Sequence, residues 1–331
     1  MAVDMIPSTL TAPPPAVRSR RAVLIAVARA LIVCAVAASI GYAVVSLWSD
    51  VRDTFLALDP WAIAGALVAA LAAIGANVKA WQAVLRELDH DVSTVAAGRM
   101  YLVGQLGKYL PGSVWAFVMQ VELSLRAGIP RARSFAASLV LIGMSTTAAL
   151  LLGLMGLPSL HAVGGAAIWA AVALVPIALV CAVPPVLSRL VDLFLRLLRK
   201  GGLNHRLRLR GLAPVVGWSA LAWTLFGVQF WLLGAGVGGA ATASLPSAIG
   251  AFALAMTAGM LAIASPSGLG VREAVLVASL APFMGAGPAL GIALASRLVL
   301  TVADVIAAGV AAWSAHRIGV TAERGSAALA S

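Results

Sequence analysis

Residues 247–285 read SAIGAFALAMTAGMLAIASPSGLGVREAVLVASLAPFMG. An apolar run leads into Ser265-Pro266-Ser267-Gly268-Leu269-Gly270-Val271-Arg272-Glu273, and a second apolar run, 274–283, follows it. A helix that is apolar all round belongs in a large core or a bilayer. Irregular backbone at membrane depth is tolerated only where protein or a water-filled cavity surrounds it. The stretch therefore reads as a membrane segment broken at a functional position. Residues 97–120 carry the same kind of break, in Gly104-Gln105-Leu106-Gly107-Lys108-Tyr109-Leu110-Pro111-Gly112.

The rest of the chain agrees with a bilayer. It has 331 residues, 62% hydrophobic and 11% charged, against about 25% charged in a soluble domain. The 23 Lys and Arg and 12 Asp and Glu are too few to cover a soluble surface. Most soluble enzymes and nucleic-acid readers are excluded despite the net charge of +11. Cys34 and Cys181 lie in separate apolar runs and imply neither a disulfide framework nor a metal cluster.

A span needs about 20 apolar residues. Six full spans fit, at 22–47, 60–83, 134–157, 163–187, 213–236 and 288–314. With the two broken or re-entrant segments, this gives an all-α polytopic membrane protein of about eight helices. Residues 1–21 read as a disordered cytoplasmic N-terminus, 22–314 as one integral membrane domain and 315–331 as a cytoplasmic tail. The run 22–47 is too long for a signal peptide, and Arg18, Arg20 and Arg21 read as its cytoplasmic anchor.

Loop charges set the orientation. Loop 48–59 holds Asp50, Asp53 and Asp59 against Arg52, and reads as external. Loop 188–212 holds Arg189, Arg196, Arg199, Lys200, Arg206, Arg208 and Arg210, and reads as cytoplasmic. Both termini then lie inside, in a cytoplasmic (inner) membrane. Each broken segment must enter and leave on one side or be a pair of half-helices. The order span, broken segment, span occurs at 60–157 and again at 213–314. It reads as an inverted repeat, although polytopic chains offer many such divisions; inverted repeats with broken helices are common in transporters.

Ionisable groups within spans point to function by default. Arg272 and Glu273 open the run 274–283, whose first N–H groups would form an anion site beside a guanidinium. Glu273 would pair with Arg272 or with a cation across the cavity; a pair that merely closes the loop is the structural alternative. Arg297 and Asp304, seven residues apart, share a helical face and would pair with each other through water or with the broken motif. Lys108 would meet a phosphate as a point charge. Pro111, Gly112, Pro266, Gly268 and Gly270 supply the irregular backbone. Together these ten residues form the expected lipid-head-group site. Lys79 reads as a snorkelling side chain, and Asn77, Gln105 and Gln229 as bonds between helices. In loop 188–212, apolar and basic residues alternate, which suits an interfacial segment on anionic head groups. No Walker A, nucleophile-elbow, HExxH or CxxC pattern occurs, so neither a cofactor nor a catalytic step is expected.

The stretch Pro266 to Glu273, with Gly107-Lys108-Tyr109-Leu110-Pro111-Gly112-Ser113-Val114-Trp115 before it, resembles the lysylphosphatidylglycerol synthase transmembrane family. That family is the flippase-like membrane half of the bacterial multiple peptide resistance factor, found also as stand-alone chains. Its pattern runs Pro-Gly-Gly-Leu-Gly-x-Arg-Glu, and Ser267 replaces its second residue here. The resemblance covers about residues 25–315. It implies a bundle that moves a phospholipid or lipid-linked head group between leaflets. It does not extend to the aminoacyl-transferase domain that follows the membrane half in full-length members. The expectation is thus a lipid translocase or lipid-binding transport protein. Its rivals are a non-transporting scaffold for a glycosyltransferase or other envelope-lipid enzyme, and a membrane-embedded transferase using Glu122 and Glu273.

Overall fold

The computed structural model describes residues 41–42, 45–109, 115–157, 165–197, 205–237, 243–262, 268 and 270–329, and these are helical with short connections. After the helical residues 41–42 and 45–46, α1 is Trp48–Ala57 and α2 is Pro60–Glu87. Asp59 caps α2 by accepting from the Trp61 amide at 3.1 Å, and Pro60 takes the first helical position. A short α3, Thr94–Gly98, runs into a wider π turn at Arg99–Val103 and a tight turn at Leu106–Tyr109. Then come α4, Trp115–Arg126, and α5, Arg131–Gly153. The second half consists of α6, Gly165–Ala182; α7, Pro184–Leu197; α8, Leu209–Ala235; α9, Leu245–Leu261; α10, Val271–Met284; and α11, Ala286–Leu329.

The all-helical membrane class holds, and the count of spans is refined. Among the described residues, four helices are long and apolar enough to cross alone: Pro60–Glu87, Arg131–Leu157, Leu209–Ala235 and Ala286–Ser314. The expected span 163–187 is α6, which ends at Ala182, and the chain then turns by 86° into α7. Pro184 and Pro185 explain the turn, since a proline lacks the N–H that would continue the ladder. Most of 22–47 lies outside the described residues. The last helix continues through the expected tail to Leu329.

Both broken segments are pairs of half-helices. In the first, α3 and its turns give way to α4; in the second, α9 gives way to α10. The arms of the first pair touch through glycine: a Cβ on Gly107 would lie 2.5 Å from the Ala116 amide nitrogen.

The two halves are built alike. Helices α2 and α8 are the corresponding first spans, and they pack along their whole length. They run antiparallel. A Cβ on Gly65 would meet Leu232 at 3.3 Å near one end, and Glu87 accepts from the Arg208 amide at 2.6 Å at the other. Around this pair the main packings of one half have counterparts in the other. Helix α5 packs on α8 as α11 packs on α2. The first broken segment rests on α11 as α9 rests on α5. Helix α1 leans on α11 as α6 and α7 lean on α5. The repeat therefore begins one element earlier than the sequence order suggested. Among the described residues two large apolar cores result, with a small third at Leu150 and Leu254. One large core gathers Trp81, Leu85, Val140, Leu195 and Leu212, and the other Ala66, Phe230, Phe252, Leu276 and Ile292.

Candidate functional site at the second broken segment

The turn that opens α10 is specified by two glycines. Gly268 has φ +68° and Gly270 has φ +85°, a region in which a side chain is strained. At Gly268 a Cβ would also lie 2.7 Å from the Cα of Gly259 on α9. Only two facing glycines let the turn fold back onto the helix before it. The turn then launches Val271–Met284 with Arg272 and Glu273 in its first turn, both buried.

Glu273 is held from two sides. Its Oε2 accepts from the backbone N–H of Gly270 at 2.8 Å, which ties the carboxylate to the turn. Its Oε1 accepts from Nη1 of Arg297 on α11 at 2.5 Å. The Glu273 side chain is 5% exposed and that of Arg297 31%. The carboxylate is thus the inner member of the pair and the guanidinium the outer one. A carboxylate near a helix N-terminus also meets the positive end of the helix dipole. Helix α11 is braced beside the pair by Ser296, whose hydroxyl donates to Gln229 Oε1 at 3.1 Å.

Arg272 points elsewhere. Its guanidinium carbon lies 5.2 Å from the centroid of the Phe252 ring, within cation–π range. Phe252 is itself flanked by Phe226 and Phe230, at 6.0 and 5.8 Å between centroids. The aromatic face partly compensates the charge of the buried guanidinium. The cluster thus sets two guanidinium groups and one carboxylate around a single turn.

Of the ten expected residues, the structure joins Gly268, Gly270, Arg272, Glu273 and Arg297. Asp304 goes a different way: it lies within electrostatic reach of Tyr101 in the first broken segment, whereas Arg297 goes to Glu273. Lys108 sits in the tight turn Leu106–Tyr109, with only its backbone described. Pro111, Gly112 and Pro266 lie outside the described residues. Glu122, the other carboxylate considered, is engaged by Arg126 at 3.6 Å and Arg131 at 3.5 Å. It closes the end of the first broken segment. Lys79 donates to Thr94 Oγ1 at 2.8 Å and joins α2 to α3. Gln229 makes the interhelical bond expected of it.

Phe252, Phe226 and Gly259 escaped the sequence reading. Their only signal was membership of apolar runs, and no spacing marks an aromatic residue 20 positions before an arginine as its partner. Among the described residues, no group of three or more His, Cys, Asp or Glu is placed to hold a metal ion.

No curated protein matches the chain. The family model described as "Lysylphosphatidylglycerol synthase TM region" matches residues 25–308, which include both broken segments, the first three long apolar helices and all but the last six residues of the fourth, Ala286–Ser314. The match runs through the Arg272–Glu273–Arg297 cluster and the antiparallel helices that frame it. The chain is a multi-pass membrane protein and belongs to the lysylphosphatidylglycerol synthase transmembrane family.

Proposed function

We propose that this chain is a lipid translocase of the cytoplasmic membrane, which brings a phospholipid or lipid-linked head group to the turn between α9 and α10. Family membership ties it to membrane lipids. The observation that carries the finer reading is the buried Glu273, tied to a turn on one side and to the part-exposed Arg297 on the other. A pair that serves only stability is often no better than apolar residues of the same size. A pair at a break between half-helices, with its cation partly open, is instead suited to exchange partners. A lipid phosphate would take hydrogen bonds from Arg297, and a cationic substituent would be balanced by Glu273. Arg272 would hold the local potential positive. No step forms or breaks a covalent bond, and the chain acts without a cofactor.

The same reading gives α7 a role at the head-group level. Its Leu187, Val191 and Leu195 are buried against the bundle. Leu190, Leu193 and Leu197 form an exposed apolar stripe, and Arg189, Asp192 and Arg196 a polar one. A helix with these three faces, at 86° to the span before it, suits an interface of anionic lipids.

Leaflet exchange tests the proposal. The purified chain is reconstituted into liposomes with a fluorescent phospholipid, and dithionite quenching scores lipid that reaches the outer leaflet. Exchange above protein-free liposomes is expected, and Glu273→Gln is expected to reduce it about tenfold or more, by analogy with a lost charge-assisted hydrogen bond. Exchange no faster than in protein-free liposomes, across neutral and anionic lipids, overturns the translocase reading and leaves a scaffold.

A further inference from the structure

A lateral cleft of about 560 Å³ lies between α1 and α11. Its walls include Trp48, Arg52 and Phe55 from α1, and Arg297, Leu298 and Thr301 from α11. A second groove of about 260 Å³ adjoins it, sharing Phe55 and Leu298, and is lined by apolar side chains such as Leu58, Leu67 and Val302. Both are largely apolar; the first also carries the guanidinium groups of Arg52 and Arg297, and a single Phe–Leu wall separates the two.

The cleft belongs to a tight helix contact. Gly287 and Gly291, four apart on α11, face Asp50 and Thr54 on α1, and a Cβ on either glycine would overlap these residues. Small residues at this spacing are how helices approach closely in lipid. Helical spacing places Trp48, Arg52 and Phe55 on one face of α1 and turns Asp50 and Asp53 to the other side. The charges that line the cleft are therefore two guanidinium groups. The carboxylate nearest to them by hydrogen bonding, Glu273, is already bonded to Arg297. The remaining positive charge calls for an anion, and the apolar walls call for a chain attached to it.

We propose that the cleft is a lateral docking site for an anionic glycerophospholipid, with its phosphodiester between Arg52 and Arg297 and one acyl chain in the adjoining groove. Phosphate suits the guanidinium fork. The volumes suit part of a lipid and exceed what a free phosphate needs. The inference rests on the translocase reading in one respect: Arg297 both lines the cleft and holds Glu273, so a lipid seated there already touches the cluster.

The test uses the full chain in nanodiscs doped with phosphatidylglycerol bearing a diazirine on one acyl chain. After illumination and proteolysis, labelled peptides are mapped by mass spectrometry. Label is expected within residues 48–58 and 294–302. Arg52→Ala is expected to raise the lipid fraction needed for half-maximal label about tenfold. Leu298→Trp, which fills the shared wall from an exposed position, is expected to abolish it. Both variants should keep the parent melting temperature, because neither position is buried. Diacylglycerol with the same photoreactive chain should label these peptides only weakly. Label confined to other helices, equal label from diacylglycerol, or an unchanged Arg52→Ala variant overturns the site. Leaflet exchange is scored on the same preparations. Label without exchange upholds the cleft and removes the translocase reading; exchange without label does the reverse.

Discussion

At the scale of single residues, the Glu273–Arg297 pair and the glycines beneath it make separable demands. Removing one partner of a largely buried ion pair leaves the other without compensation, at about 3–5 kcal/mol when fully buried and less when one member is wetted. Arg297 is 31% exposed. Glu273→Ala is therefore expected to cost about 2 kcal/mol. The double variant Glu273→Ala with Arg297→Ala should cost less than the two single changes added together. A double-mutant cycle from thermal unfolding in detergent measures this coupling, and additive losses would show that the pair carries no stability. Gly268 is tested by contrast with Gly217. Gly268→Ala meets both a φ of +68° and the backbone of Gly259, and is expected to cost at least about 1–2 kcal/mol. Gly217 lies within α8 with open space around its Cβ direction, so Gly217→Ala should be neutral or stabilise by up to about 1 kcal/mol. Equal melting temperatures for the two variants would remove the structural reason given for the turn. The residue types of this site were legible in the sequence, because glycine, proline and charge are conspicuous inside apolar runs. The partners were less so. A seven-residue spacing put Arg297 and Asp304 on one helical face, but which neighbour each meets depends on helices 24 or more residues away, and nothing local encodes that.

At the scale of elements, length and hydropathy found the four long helices and both breaks, since these depend only on local composition. They did not find the turn after Ala182. The apolar run continues past Pro184, and only the proline pair and the change to a three-sided pattern mark a new helix. That pattern has a measurable consequence. The residues Leu190, Leu193 and Leu197 are exposed together, and Arg189 and Arg196 lie on a different face. Nitroxides placed at Leu193 and Leu197 in nanodiscs should be relaxed more by oxygen, which concentrates in lipid. Nitroxides at Arg189 and Arg196 should be relaxed more by a water-soluble nickel chelate. The anchor of this face on the bundle includes Phe194, whose ring stacks on Phe135 at 6.0 Å between centroids. Uniform access of the nickel chelate to all four positions would place α7 in water and remove its interfacial role.

At the scale of the whole molecule, the antiparallel run of α2 against α8 decides between two architectures that the sequence left open. If corresponding helices run in opposite directions, an odd number of full crossings separates their starting points. With α6 as a full crossing, the first broken segment then returns to the side it came from. If instead each broken segment crossed fully, four crossings per repeat would make the halves parallel and α2 and α8 would run the same way. The charges agree with the first case. Helix α1 carries Asp50, Arg52 and Asp53, and its counterpart α7 carries Arg189, Asp192 and Arg196. The two copies of one element thus differ in sign, as expected if one faces outward and the other faces the cytoplasm. Single cysteines at Asp53 and Arg206, both exposed, put this to the test in a chain with Cys34 and Cys181 replaced by serine. A membrane-impermeant maleimide added to intact cells should label position 53 and spare position 206 until the membrane is opened. Labelling of both positions from outside would require an even number of crossings between them. That would contradict the antiparallel pair and the inward-facing α7, and the broken segments would have to be full spans.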